Sequence, residues 1–284
     1  MLGAAGIAFG VLAYTYLTLP DVRPLARTNP TTTAFMELRA REARRAGKTP
    51  RKIHRWVAYN NISPNLKRAV LTAEDAAFWD HDGVDYDELQ KSIETDLAEG
   101  RLVRGASTIT QQLAKNLYLS PSRNPVRKLR ELIIARRLEA ELSKARILEI
   151  YLNVIEWGDG IYGVDAAART YYGTSASSLG PSESALLAGA IVNARLLNPA
   201  HPTSRLLRRQ QLILRRMGGV APPVETAPAR PETSPRPETS PPVDPNQWPL
   251  QLPPPPADSP SSAIEGNNEK ATSPELDRSK SGSL

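Results

Sequence analysis

The distribution of proline sets the first limit on this chain. It has 284 residues and 26 prolines, and most of the prolines lie after residue 220. There the run Arg-Pro-Glu-Thr-Ser-Pro occurs twice in tandem, at 230–235 and 236–241, followed by a proline run at 253–256 and an end rich in Ser, Glu, Asn and Lys. Such a stretch buries too little apolar surface to offset the entropy of ordering it. Residues 218–284 are therefore read as a disordered, partly extended tail, a spacer or dispensable extension rather than a docking peptide. What remains is one globular unit of roughly 150–200 residues, a size that can bury a real core.

At the other end, residues 2–19 carry no charged side chain. As a helix they would span about 27 Å, roughly the hydrocarbon thickness of a bilayer. The stretch has neither a basic start nor an Ala-x-Ala-like site before Pro20, so an uncleaved transmembrane anchor over 1–19 is preferred to a signal peptide or a buried helix. Arg23 and Arg27 follow it, which by the positive-inside rule alone would keep the bulk of the chain inside. Residues 20–50, with Pro20, Pro24, Pro30 and a threonine run, read as a stalk that ends in a short, solvated basic helix over 33–47. The chain has no cysteine, which excludes disulfides and cysteine metal sites. Its net charge of +6 suits anionic lipid, a phosphorylated substrate or nucleic acid. The arginines are scattered over several helix surfaces with no reader motif, so nucleic acid is set aside.

Between 51 and 217 the apolar period is helical and the domain is expected to be mostly α. A helix over 65–79 follows Pro64, with Leu66, Ala69, Val70, Ala73 and Ala77 on one stripe. Glu74 and Asp75 fall near its C-terminal end, where the helix dipole disfavours negative charge. His81 is read as structural, bonded to a nearby backbone group or carboxylate. Ser107 is the expected N-cap of a helix reaching Tyr118, with Ile109, Leu113 and Leu117 buried. Asn124-Pro125 opens the next helix, with Val126, Leu129, Ile133 and Leu142 toward the core. Ser143 caps a helix over 144–153. Gly158 to Gly163 matches Gly-x-Gly-x-x-Gly, but a helix precedes it where a dinucleotide site needs a strand, so it is read as a turn into a helix over 164–172. Further helices are expected over 181–192 and 202–217, and no strand is expected.

This leaves two isolated carboxylates on helices, Glu74 and Glu131, with cations Lys115, Arg123 and Arg127 and amides Gln111 and Gln112 in the same stretch. Paired carboxylates suit acid–base work at a sugar. Cations suit a phosphate. The bland readings are a surface ion pair for Arg127 with Glu131 and core-knitting roles for the glutamines. Spacing does not decide between them, nor does it bring the two glutamates together.

At these residues the chain resembles the peptidoglycan glycosyltransferase family, and within it the monofunctional biosynthetic transglycosylases. The resemblance covers about 55–217. It rests on Glu-Asp-x-x-Phe-x-x-His-x-Gly at 74–83, Gly-x-Ser-Thr-Ile-Thr-Gln-Gln-Leu-x-Lys-Asn-Leu at 105–117, Arg-Lys-x-x-Glu at 127–131, and Ser-Lys-x-x-Ile-Leu-Glu-x-Tyr-Leu-Asn at 143–153. A helix at 183–189 fits as well. The resemblance implies a lysozyme-like, mostly helical glycosyltransferase domain at the outer face of the cytoplasmic membrane, held there by a single-pass anchor. It implies polymerisation of lipid II onto a growing glycan strand, with inversion and release of undecaprenyl diphosphate. Glu74 resembles the general base. Glu131 resembles the second acid, near the diphosphate and acting through a divalent cation, Mg or Mn. Lys115 and Arg123 would hold the diphosphate, with Arg127 a further candidate. Ser107, Gln111 and Gln112 would line the cleft, and Asp75 would support Glu74. Partners would be lipid II, the strand, the membrane and other cell-wall synthesis proteins. Val84 stands where the family often has Phe, and Ala194 where Pro is common. The Ser-x-x-Lys and Lys-Thr-Gly motifs of a transpeptidase are absent, so no crosslinking activity is expected. The alternatives are a glycan-cleaving muramidase or lytic transglycosylase of the same fold, and a non-catalytic membrane adaptor.

Overall fold

Side-chain caps set many of the helix starts. Thr33, Thr108, Asn124, Ser143 and Thr203 each accept a hydrogen bond from the backbone N–H three residues on, satisfying a donor that the first turn leaves orphaned. In chain order the helices are α1 (Ala34–Arg45), α2 (Pro64–Glu74), α3 (Tyr86–Glu99), α4 (Ile109–Tyr118), α5 (Pro125–Glu141), α6 (Lys144–Val154), α7 (Val164–Tyr172), α8 (Pro181–Ala190) and α9 (Ser204–Arg216). Three short strands, β1 (Ile53–His54), β2 (Glu156–Gly158) and β3 (Ile161–Tyr162), and several 3-10 turns lie among them. This computed structural model describes residues 6, 10, 17–99, 107–119 and 124–219. The body of the expected anchor, the tail from 220 and Arg123 lie outside the described residues. Among the described residues no helix is long and apolar enough to cross a membrane.

Helix α4 packs on α5, α6 and α1, while α2 packs on α8 and α8 on α9. Ile109 and Leu113 of α4, Ile134 and Leu138 of α5, Ile147 and Tyr151 of α6, Leu66 and Val70 of α2 and Leu187 of α8 share one buried core. The domain is mostly helical, as expected.

Several expectations change. The helix expected over 65–79 stops at Glu74, because Asp75 leaves helical geometry at φ −167° and ψ 80°. Thr108, not Ser107, caps α4, and its hydroxyl also donates to Gly83 O at 2.7 Å. The apolar stripe of α5 is turned. Val126 and Leu129 are exposed, while Ile134, Ala135 and Leu138 are buried together with Glu131. A carboxylate on the core face masked the true period there. Residues 20–50 do not stand off as a free stalk. Val22, Leu25 and Met36 enter the core, and Arg146 donates to Leu25 O, Thr28 O and Asn29 Oδ1 at 2.8, 2.9 and 2.7 Å. Three apolar side chains so spaced carry no readable period.

The strands form one sheet in the order β1-β3-β2, with β1 parallel and β2 antiparallel to β3. Strands of two or three residues are too short to alternate visibly, which is why none was expected. The glycine motif forms the β2–β3 turn and the entry to α7, not a dinucleotide loop. Gly163 has φ +82°, and a Cβ there would meet Arg55 O and Asn153 O at 2.9 Å. Gly163→Ala should therefore destabilise the domain by about 1–3 kcal/mol. Urea unfolding measures this, and a loss within about 0.5 kcal/mol would show the turn to be unconstrained.

Candidate active site

Helix α2 ends in the carboxylate that the sequence singles out. Glu74 is largely buried, and its Oε2 accepts from Gln112 Nε2 at 3.0 Å. Arg209 Nη2, from α9, stands 3.5 Å from Oε1. Tyr151 on α6 donates its hydroxyl to Gln112 Oε1 at 2.8 Å, which turns the amide so that its N–H faces Glu74. Complete burial holds the Tyr151 phenol well above its ordinary range, so it remains a donor. Burial likewise raises the Glu74 carboxyl above its ordinary 4.5, against the pull of Gln112, Arg209 and Lys115; Asp75 adds to the rise.

Both oxygens of Asp75 are taken within the fold. Its Oδ2 accepts from Ile109 N at 2.9 Å and its Oδ1 pairs with His81 Nε2 at 2.9 Å. His81 thus has the structural role expected of it. Gln111 is buried, donates to Gly83 O at 3.2 Å and accepts from Lys128 Nζ at 2.9 Å. Its amide holds the loop to the site.

Glu131 is buried on α5 between two cations. Arg127 Nη1 and Lys128 Nζ each bond one of its oxygens at 2.6 Å. Lys128 also reaches Gln111 Oε1, and Ser107 Oγ at 3.3 Å. Lys115 has no hydrogen-bond or ion-pair partner among the described residues. The residue is exposed to water and lines a hollow. Partial desolvation lowers its pKa, opposed by Glu131, assisted by Arg127 and Lys128, and opposed again by Glu74. Lys115 therefore feels both acids, and the structure gathers every described candidate into one neighbourhood.

Two hollows flank the hydrogen bond between Glu74 and Gln112, each of which lines one of them. One, of about 510 Å3, is lined by Glu74, Asp75, Thr72, Ser107, Glu88 and Lys91. The other, of about 230 Å3, is lined by Gln112, Lys115, Asn116, Tyr151 and Asn193. A proton acceptor between them can serve a group on one side while cations face the other.

Sequence reasoning missed Lys128, Tyr151 and Arg209. Lys128 carried a signal, since it sits three residues from Glu131 on one helix face. Tyr151 hid in an apolar stripe, and Arg209 is one arginine among many on α9. The described residues do not fit a divalent cation. Both Glu131 oxygens already hold cations, and no group of three or more His, Cys, Asp or Glu among the described residues could hold a metal.

The folded state binds the Glu74 proton more tightly than the unfolded chain does. Stability thus falls as pH rises above 4.5 through the raised value, and the deficit persists at neutral pH. Glu74→Gln removes it. The variant should melt above the wild type at about pH 7.5, with the gap closing toward about pH 4. Equal melting temperatures at the higher pH would contradict a buried, ionised Glu74.

Residues 42–218 match the family model described as Transglycosylase. The chain is 47% identical over 195 residues to a protein of Nitrosospira multiformis, covering 69% of this chain and 85% of that one. It is 48% identical over 195 residues to one of a Janthinobacterium species, covering 69% and 84%. It is 53% identical over 167 residues to one of Aromatoleum aromaticum, covering 59% and 73%. All three are named biosynthetic peptidoglycan transglycosylase. A family match over more than half of the chain, on the segment that carries Glu74 and Glu131, means that the chain belongs to the transglycosylase family.

Proposed function

We propose that this protein is a peptidoglycan glycosyltransferase that polymerises lipid II into glycan strands. The observation that carries the reading is Glu74 and Gln112 bonded between two hollows, with Lys115 lining the second and Lys128 of the Glu131 cluster reaching Ser107 at the edge of the first. The acceptor sugar's 4-hydroxyl occupies the larger hollow and gives its proton to Glu74. Its oxygen attacks the anomeric carbon of the strand held in the other hollow. The bond from that carbon to the diphosphate oxygen breaks, and undecaprenyl diphosphate leaves with the bonding pair. Attack opposite the leaving group inverts the centre. Lys115, Arg127 and Lys128 supply the charge that the departing diphosphate needs, and Arg123 joins them by its place in the motif. Gln112 holds Glu74 in position, and Asp75 holds the backbone on which Glu74 rides. Ser107 and Gln111 keep Lys128 in the cleft.

A glycan-cleaving reading fits less well, because cutting a glycosidic bond in a strand needs no cluster of cations. A non-catalytic adaptor fits less well too, because a carboxyl whose burial raises its pKa only costs stability when ionised. The enzyme works at the outer face of the cytoplasmic membrane in this reading. Support comes from the apolar stretch 2–19 and from Tyr86, Leu89, Val126 and Leu129, which expose large apolar side chains on α3 and α5.

Labelled lipid II and the detergent-solubilised full chain test the reading. The wild type should give glycan ladders on a gel. Glu74→Gln should lose about 10²–10⁴ in rate, or roughly 3–5 kcal/mol of barrier. A loss below tenfold with the fold intact would remove Glu74 from the role of base. Lys115→Ala should lose about 10² or more in turnover while its stability stays within about 0.5 kcal/mol, since the ammonium has no partner to abandon. Equal loss of folding would make the lysine structural.

A further inference from the structure

Helix α9 shows most of its arginines to water. Arg205, Arg208, Arg215 and Arg216 are exposed, while Arg209 is half-buried. The fold makes room for it. Gly189 of α8 lies under its stem, where an added Cβ would meet Leu206 Cδ1 at 3.1 Å and both Arg209 Cγ and Ile213 Cδ1 at 3.6 Å. Leu206 and Ile213 are buried about one turn to either side. Gln210, the next residue, donates to Ser182 O at 3.0 Å and to Ser182 Oγ at 2.8 Å, which fixes α9 along α8.

The guanidinium so placed ends beside the carboxylate that closes α2. Its Nη2 stands 3.5 Å from Glu74 Oε1. A charge-assisted hydrogen bond runs to about 2.7–2.9 Å, so this is attraction across a gap. Arg209 Nε is buried and has no hydrogen-bond partner among the described residues. An arginine held for stability would satisfy its donors; this one leaves a donor unmet and stops short of the acid. Glu74 Oε2 is already taken by Gln112. Oε1 therefore keeps room for an incoming hydroxyl, with a positive charge close by.

The surroundings of Glu74 pull both ways. Burial raises its carboxyl most; the Gln112 amide, Arg209 and Lys115 of α4 pull it down, and Asp75 adds to the rise. The Tyr151 phenol of α6 is held neutral by burial. The hollow that Glu74 lines also carries Asp85, Asp87, Glu88 and Lys91, from α3 and its approach, and Arg216 from α9. Among the described residues Arg209 is the cation that pairs with Glu74.

We propose that Arg209 is a positioning residue for the reaction: it keeps Glu74 ionised and open at Oε1, and so sets how far toward acid the enzyme works. The inference rests on the reading of Glu74 as the base. A buried base must hold affinity for a proton and yet be ionised when the hydroxyl arrives. Burial answers the first demand, and a guanidinium near but not bonded answers the second. A shorter contact would occupy Oε1.

The test follows initial rates of labelled lipid II consumption from about pH 5 to 9. It uses the full chain in detergent, beside Arg209→Gln and Arg209→Lys. With the guanidinium gone, the acid limb of kcat/KM should move up by about 0.5–1 pH unit, a modest value because the partly exposed group is screened by solvent. Below the limb Arg209→Gln should be about 3- to 10-fold slower than wild type, and the deficit should shrink above it. Arg209→Lys should stay nearer the wild-type limb. A merely structural arginine would lower all rates by one factor at every pH. That outcome, or an unmoved limb, would overturn the proposal. A KM raised at every pH with the limb unmoved would make Arg209 a substrate contact and overturn it as well. No polymer from the wild type at any pH would overturn the reading of the reaction itself, a separate result.

Melting gives a readout without substrate. At about pH 7.5 the gain in melting temperature from Glu74→Gln should be about 2–4 °C larger in the Arg209→Gln background than in wild type. The difference should vanish toward about pH 4, where Glu74 is protonated in both. Equal gains in the two backgrounds at the higher pH would show that the two groups are not coupled, and would overturn the proposal.

Discussion

One carboxylate joins the two halves of the site. Asp75 closes α2, accepts the first backbone N–H of α4 through Oδ2 and holds His81 through Oδ1. Its charge is badly placed for the helix that it ends and well placed for the helix that it starts. Because the group is buried, losing it would strand both donors. The joint fixes where its neighbour Glu74 lies relative to Gln112, in the first turn of α4. Gly83 O, at the far end of the same loop, accepts from Thr108 Oγ1 and Gln111 Nε2. The irregular stretch between α2 and α3 is thereby pinned at both ends to the start of α4, and the rest of the cleft is built outward from it.

The two glutamates that the motifs mark have opposite surroundings. Glu131 meets Arg127 and Lys128, one on each oxygen, and both are its neighbours on one helix. Its charge is answered locally and would survive any movement of α5 as a body. Glu74 is answered by an amide and by one guanidinium at longer range, both from other helices. Its state depends on the tertiary fold. A proton acceptor suits the second arrangement, because both oxygens of Glu131 are already taken by cations. Glu131 instead bonds Arg127 and Lys128, one on each oxygen, and in the proposed reaction it keeps them beside the diphosphate.

How much of this was legible in the sequence follows from range. The helices α4 and α6, with apolar residues at three and four and a polar N-cap nearby, could be read to within a residue or so. So could the local pairing of Arg127 with Glu131. The turned face of α5 could not, because Glu131 occupies a core position and exposed Val126 and Leu129 mimic a stripe. Arg209 and Tyr151 reach Glu74 and Gln112 only through the packing of α9 and α6, and no local pattern marks them. The packing of Val22, Leu25 and Met36 was equally hidden, since prolines and threonines dominate their neighbourhood. Motif resemblance supplied Lys115, whose local signal was only its shared face with Gln111.

Burial displaces the two central groups in opposite senses. It raises the Glu74 carboxyl and lowers the Lys115 ammonium, so each is less inclined to carry its charge than it would be in water. The pair is close enough to feel each other, but Lys115 bonds no acid. In the proposed reaction that strain is relieved in order. A diphosphate entering beside Lys115 gives the ammonium the anion it lacks. A hydroxyl entering beside Glu74 gives the carboxylate a proton to take as the bond forms. The cleft is therefore complementary to a state in which negative charge sits by Lys115 and a proton has reached Glu74. A cleft of that kind favours the transition state over the reactants because its dipoles and charges are already in place before the substrate arrives.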